Sequence, residues 1–402
     1  MEMRTLYRPR RTVSHDWRKR AVTVALVVVT ALACCGSIAG ASGRPGLGKR
    51  GLSSADLKAL EAALAAARQP SAWTAPGPAF KVGSLRGKTI WLLNDAQNQW
   101  ADNFADGVRA ATKAAGLKYA QGSGGPGGTN DAQAIEAAVN EHVDAIIEIA
   151  TPTLVASALS KAKAAHIPVI LGFDGDAHLP TAQEKALGIV ATADYCYSCT
   201  GYIAAEYEIL AHGGQVHSQV DQFHGQVSSD TIAQGWVKAL KHYCPRTCST
   251  SFVNLTLAGN YIQSVQSATQ VAAQGGNINS LFSVYDFLMA FQLPELTAAG
   301  ATNRIDLTSE NADLAQMQEL AQGGAVKANV GNPVAWDGWA AVDQALRALK
   351  GLPPVENEHL PVRLFDSTNM RSVDLSKNPA TWYGTTAFAS DYEKLWGVGV
   401  GG

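Results

Sequence analysis

Charge is scarce in this chain. Only 16% of its 402 residues are charged, whereas 47% are hydrophobic. That balance argues against bulk disorder and leaves enough apolar side chain for a sizeable core, in two domains rather than one. No basic stripe interrupts the sequence beyond the N-terminus, which argues against nucleic-acid binding. No apolar run reaches the roughly twenty residues that a membrane-spanning helix requires. Catalytic signatures are missing too. A Ser/His/Asp grouping can be written from His217, His224, Ser228 and Asp230, but no G-x-S-x-G elbow or metal-ligand helix supports it. The chain is therefore expected not to be an enzyme. The glycine-rich run Gly122 to Gly128 lacks the Lys-Ser/Thr end or G-x-G-x-x-G pattern of a phosphate cradle and reads as a flexible turn. No cofactor or metal is expected.

The basic residues that do cluster lie at the start. Arg4, Arg8, Arg10, Arg11, Arg18, Lys19 and Arg20 precede the uncharged run Ala21 to Ala33, the arrangement of an export signal over 1–41. Ala39-Gly40-Ala41 is a small-residue cleavage site, while Leu32-Ala33-Cys34-Cys35 resembles a lipoprotein signal in which Cys34 or Cys35 takes the lipid. Removing 1–41 takes away seven basic and two acidic residues and leaves a net charge of −7. The expected location is extracytoplasmic, secreted or membrane-anchored at the cell surface. Four further cysteines, Cys196, Cys199, Cys244 and Cys248, agree with an oxidising compartment. Two local disulfides are the default there, with a four-thiolate zinc site or a redox-active pair as the alternatives.

The body opens at Lys88. Thr89 to Leu93 is a short apolar run of strand character, and Trp100, Phe104, Val108, Ala111 and Ala115 recur at helical spacing behind it. Strand and helix then alternate along the chain, with strands at Val143–Ala150, Ile167–Phe173 and Ala186–Thr192, and the alternation begins again after Cys199. Continuous apolar strands separated by helices predict an α/β fold of two doubly wound parallel-sheet lobes. Ligands in such sheets sit beyond the carboxyl ends of the strands, so Asn94 to Trp100 is expected to form one wall of a site. Trp100 is equally readable as the first core residue of its helix. Residues 42–86 read as a linker carrying a short helix, Ser53 to Arg68, and 373–402 as a C-terminal tail.

Several of these segments resemble the type I periplasmic solute-binding proteins, the ribose- and galactose-binding group. The resemblance rests on Asn98-Gln99-Trp100 with Phe104 and Gly107, and on Ile146 to Pro152 followed by Ile167-Pro168-Val169-Ile170 and Asp174. Tyr285-Asp286 and the segment Asn332 to Gly338 running on to Lys350-Gly351 complete it. It implies lobes formed by 87–192 plus 333–359 and by 193–332 plus 360–372, joined by a three-strand hinge and closing on a ligand. It further implies ligand contacts at Asn98, Trp100, Asp174, Tyr285, Asp286, Asn311 and Asn332. For each of these the alternative is helix or turn capping. Asp230 stands where members of the group place an arginine. Its presence, with Asp174 and Asp286, opens the site to an amino-bearing ligand that Trp100 or Trp336 would face as a cation–π partner. The implied function is capture of a small polar, sugar-like or amino-bearing solute by a monomer, for delivery to an ABC permease in the membrane. The alternative is a sensor presenting its closed form to a receptor or histidine kinase.

Overall fold

The computed structural model describes residues 51–94, 98–125, 129–256 and 259–398. The expected export signal, Cys34 and Cys35 lie outside them, as does part of the glycine-rich turn. Helix α1 (Ser54–Ala67) starts at a capping box, in which the Ser53 hydroxyl accepts from the Asp56 amide and the Asp56 carboxylate accepts from the Ser53 amide. This helix, read from sequence as part of a linker, does not stand free. Leu60 and Leu64 are fully buried on its inner face, against helix α6 (Tyr197–Ala211). Arg68, just beyond α1, pairs with the buried Asp366 at 2.5 Å. Leu60→Ala or Leu64→Ala is expected to cost about 3 kcal/mol, which a shift in the guanidinium midpoint would report. A helix merely tethering the body would give no shift.

The chain then enters a five-stranded, all-parallel sheet ordered β2-β1-β3-β4-β5. Its strands are β1 (Thr89–Leu93), β2 (Lys118–Gly122), β3 (Ala145–Glu148), β4 (Val169–Leu171) and β5 (Ile189–Thr192). The intervening helices are α2 (Gln99–Ala114), α3 (Asp131–Asn140), α4 (Ala156–Ala164) and α5 (Ala182–Leu187). The first part of Ala186–Thr192, expected as strand, is the end of α5, which a second capping box between Thr181 and Glu184 starts.

After α6 comes a six-stranded sheet ordered β11-β10-β9-β8-β6-β7. It comprises β6 (His217–Gln222), β7 (Ser249–Asn254), β8 (Ser280–Ser283), β9 (Asp306–Asn311), β10 (Val326–Gly331) and β11 (Arg363–Asp366). Helices α7 (Val227–Tyr243), α8 (Tyr261–Gln274), α9 (Met289–Ala298) and α10 (Leu314–Gln322) alternate with them. All pairings are parallel except β11 on β10, an antiparallel edge.

Helix α11 (Val334–Leu349) crosses back to pack on α2 and on β3, β4 and β5. The chain thus passes between the two sheets after β5, after β10 and again before β11. Each lobe contains one helix pair in near-backbone contact. Gly107 and Gly338 bring α2 against α11, and Gly201 and Gly235 bring α6 against α7. The segment expected as a tail folds as α12 (Phe388–Leu395), whose Phe388, Tyr392 and Leu395, with Trp396, are buried against α11. The four described cysteines form two local disulfides, Cys196–Cys199 in the first turn of α6 and Cys244–Cys248 after α7.

Candidate functional site

All the parallel strands of both sheets send their chains out at the carboxyl end, and there the lobes meet. From the first lobe come Trp100 in the first turn of α2, Phe173 and Asp174 beyond β4, and Asp194 and Tyr195 beyond β5. From the second come Phe223 beyond β6, Tyr285 and Asp286 beyond β8, and Glu310 and Asn311 ending β9. A chain of aromatic contacts links the two sets. The Trp100 and Phe173 rings lie 4.8 Å apart, Phe173 and Tyr285 6.2 Å, and Tyr285 and Phe223 5.9 Å. Polar contacts cross as well. The Tyr195 hydroxyl donates to Glu310, and the Gln99 side-chain oxygen accepts from the Leu314 amide at 3.0 Å.

Acceptor oxygens dominate this region. Asp194, Asp286, Asp337 and Asn332 are each at most 2% exposed, and each keeps one side-chain oxygen without a hydrogen-bond partner. Trp100 keeps an unpaired indole N–H. Burial pushes the Glu310 carboxyl up to about 8. It pushes Asp313 up to about 6 and Asp286 well above the usual range, where the like charge of Asp313 adds to the effect. Asp337 is raised by burial and then by Asp194 and Glu310. No lysine or arginine offsets the shift at Glu310, Asp313 or Asp337. Once ionised these carboxyls only accept, so the site suits a partner rich in O–H or N–H groups, whose hydrogen bonds favour the ionised form.

The sequence-derived candidates fall into two groups. Trp100, Tyr285 and Asp286 come together in this region. Tyr285 is held there by its hydroxyl, which shares a hydrogen bond with Ser228 at 2.9 Å and donates to Gln226 at 3.3 Å. Asn332 donates to Asp337. Asn311 lies against Glu310 and, with Ala312, takes a left-handed backbone (φ 97° and 56°) that is costly for non-glycine residues and is typical of functional loops. Asp174 is buried beyond β4, and burial, then Glu184, push its carboxyl up to about 6.

The others are engaged elsewhere. Asn98 caps α2, accepting from the Ala101 amide at 2.9 Å, which is the capping alternative. Asp230 accepts from the Gly225 amide at 3.0 Å and pairs with His224 at 3.1 Å, in an exposed turn. Trp336 does not reach the cleft. It stacks on Phe388 at 5.1 Å between α11 and α12, a partner that sits in the segment read as tail. Of the writable Ser/His/Asp grouping only His224 and Asp230 pair; Ser228 is bonded to Tyr285, and His217, at the start of β6, is bonded to Ser249. Sequence reading passed over Asp194, Glu310, Asp313 and Asp337, because acidic residues at or after strand ends and in first helical turns look like solvent-facing ones until the other lobe covers them.

A family model described as a periplasmic binding protein domain matches residues 90–353. The chain belongs to this family. Solved structures share its fold, the type I periplasmic-binding-protein fold. A solute-binding protein from Agrobacterium vitis bound with α-D-tagatopyranose has a TM-score of 0.64 at 19% identity and covers 72% of this chain and 98% of its own. One from Actinobacillus succinogenes with bound D-allose has a TM-score of 0.62 at 16% identity, covering 72% and 100%. An ABC sugar transporter subunit from Rhodobacter sphaeroides has a TM-score of 0.62 at 18% identity, covering 71% and 100%. None of the curated proteins matches the chain. Among the described residues, no helix is long and apolar enough to cross a membrane.

Proposed function

We propose that this periplasmic binding protein captures a small polar solute between its lobes outside the cytoplasm and presents the closed form to an ABC permease. It acts as a monomer and performs no chemistry of its own. The observation that carries this reading is the cleft itself: two lobes meeting at their strand carboxyl ends, with aromatic faces beside buried oxygens that lack donors. A sugar or polyol would supply hydroxyl donors to Asp286, Asn332 and Asp337 and a C–H face to Trp100 and Tyr285. An amino-bearing sugar would also place a positive charge among carboxyls that no base offsets. The sugars bound to the structural neighbours support the first class, and the acidity of this cleft supports the second. Export by 1–41, with lipid on Cys34 or Cys35 or cleavage after Ala41, completes the proposal.

A thermal-shift screen of sugars, polyols and amino sugars tests it. A ligand that binds only the folded chain raises Tm by mass action, so at least one member of these classes is expected to do so in a concentration-dependent way. A flat response across all three classes, alongside a shift with an unrelated apolar compound, would contradict it.

A further inference from the structure

The loop between β4 and α5, with the first turn of α5, holds a second constellation, which shares Asp174 with the rim of the cleft. Asp174, His178 and Glu184 each bring one ligating atom into a group whose members all lie within 4.8 Å of one another. The His178 Nδ1 lies 2.8 Å from the Asp176 carbonyl oxygen. A carbonyl only accepts, so Nδ1 carries the proton. Nε2 then faces both Glu184 carboxylate oxygens, at 3.2 Å each. In the neutral ring this sets a nitrogen lone pair against carboxylate lone pairs, an arrangement that needs a positive centre between them.

A proton on Nε2 is one such centre, and a bound cation is another. The 3.2 Å spacing to both oxygens also fits ligand atoms around a metal. Bonds of about 2.0–2.2 Å place neighbouring ligands about 3.0–3.5 Å apart. The surroundings are those of an oriented ligand set. A backbone carbonyl holds the far nitrogen of the histidine, and the Thr181 amide donates to Glu184 at 2.6 Å. The His178 side chain is 28% exposed, which leaves a route in from solvent.

We infer that Asp174, His178 and Glu184 form a binding site for a divalent transition-metal cation, with zinc the best match to one imidazole and two carboxylates. The site braces the rim of the cleft. A side chain at Gly175 would lie 3.5 Å from Val227 in α7 of the second lobe. Asp176 accepts from the Ser198 amide and hydroxyl, at 2.7 and 2.6 Å, inside the Cys196–Cys199 turn where the chain first crosses between lobes. A cation that fixes this loop fixes both contacts.

The test is calorimetric titration of the full, chelator-treated chain with zinc chloride in the absence of any solute, repeated with calcium chloride. Its outcome is therefore independent of what the cleft binds. Wild type is expected to take up zinc in preference to calcium, and His178→Gln to weaken zinc binding at least about 10-fold. Glu184→Gln, which keeps an acceptor for the Thr181 amide, is expected to do the same and serves if the histidine variant folds poorly. His212→Gln, in the separate group of Glu208, His212 and Asp306, is expected to leave the His178-dependent binding in place. Absence of zinc binding, equal binding by wild type and both loop variants, or loss only in His212→Gln would overturn the assignment.

Discussion

Gly107→Ala and Gly235→Ala are each expected to destabilise the protein by about 3 kcal/mol, the upper end of the range for overpacking. In a helix the same change ordinarily stabilises by up to about 1 kcal/mol through propensity. Here sterics win, because both glycines face backbone rather than flexible side chains. A Cβ on Gly107 would fall inside the van der Waals envelope of the Ala335 carbonyl, and one on Gly235 inside that of the Ser198 carbonyl. The helices would have to separate. The opposite partners are similarly placed, since a Cβ on Gly338 would sit 2.6 Å from the Phe104 oxygen and the Val108 nitrogen. Chemical denaturation of both variants beside Gly275→Ala gives the comparison. A side chain at Gly275 meets nothing within 4 Å, so that variant is expected to stay within about 0.5 kcal/mol of wild type. Equal stability of all three would mean that the two helix pairs are not packed backbone to backbone.

The ligand-free protein is expected to be most stable near pH 5 and to lose several kcal/mol by pH 8. The sign follows from the buried acids. Glu310 at about 8, Asp221 at about 7 and Asp313 at about 6 hold their protons more tightly folded than unfolded. Their contribution is whole below the unfolded value near 4 and disappears as the pH rises through the folded values. His212 acts in the same direction. Glu208 and Asp306 outweigh the effect of burial and raise it to about 9, so its contribution is whole below about 6.5 and is lost as the pH climbs through 9. On the acid side, the Lys88 and Thr89 contacts lower Asp144 despite its burial, and that contribution is lost as the pH falls through its folded value. Melting curves from pH 4 to pH 9 measure the profile. Glu310→Gln keeps an acceptor for the Tyr195 hydroxyl and removes the titration, so it should flatten the fall between pH 5 and pH 8. A Tm that rises steadily to pH 8, or a variant profile parallel to wild type, would contradict this reading of the cleft.

Much of the scaffold was legible in the sequence because the buried strands are short apolar runs and the helices carry a stripe. Thr89 to Leu93 is strand to the residue, and the alternation behind it produced both lobes. Misses occurred where the signal was short or its partner distant. Helix α5 has six residues, too few for periodicity, although Thr181 and Glu184 spell a capping box. Helix α12 shows Phe388, Tyr392 and Leu395 at helical spacing, yet the surface of α11 that they cover is known only from the fold. The Trp336 assignment failed for the same reason. The site was harder still. Strand β9, legible as a strand, carries Asp306, Thr308, Ser309, Glu310 and Asn311 and is nonetheless wholly buried. Only the first lobe makes Glu310 a neighbour of Tyr195 and Asp337.

The claim on which the rest depends is that the meeting place of the strand ends is where solute binds. Isothermal titration of the strongest sugar, polyol or amino sugar found by thermal shift, into wild type and into Asp286→Asn, tests it most directly. The variant keeps an acceptor for the Asp313 amide while replacing the unpaired oxygen with an N–H donor. The account predicts one site per chain in wild type and at least about 10-fold weaker binding in the variant, as expected when a hydrogen bond is lost and a buried donor faces the solute's donor. Equal affinity in the two proteins would place the solute elsewhere and contradict it.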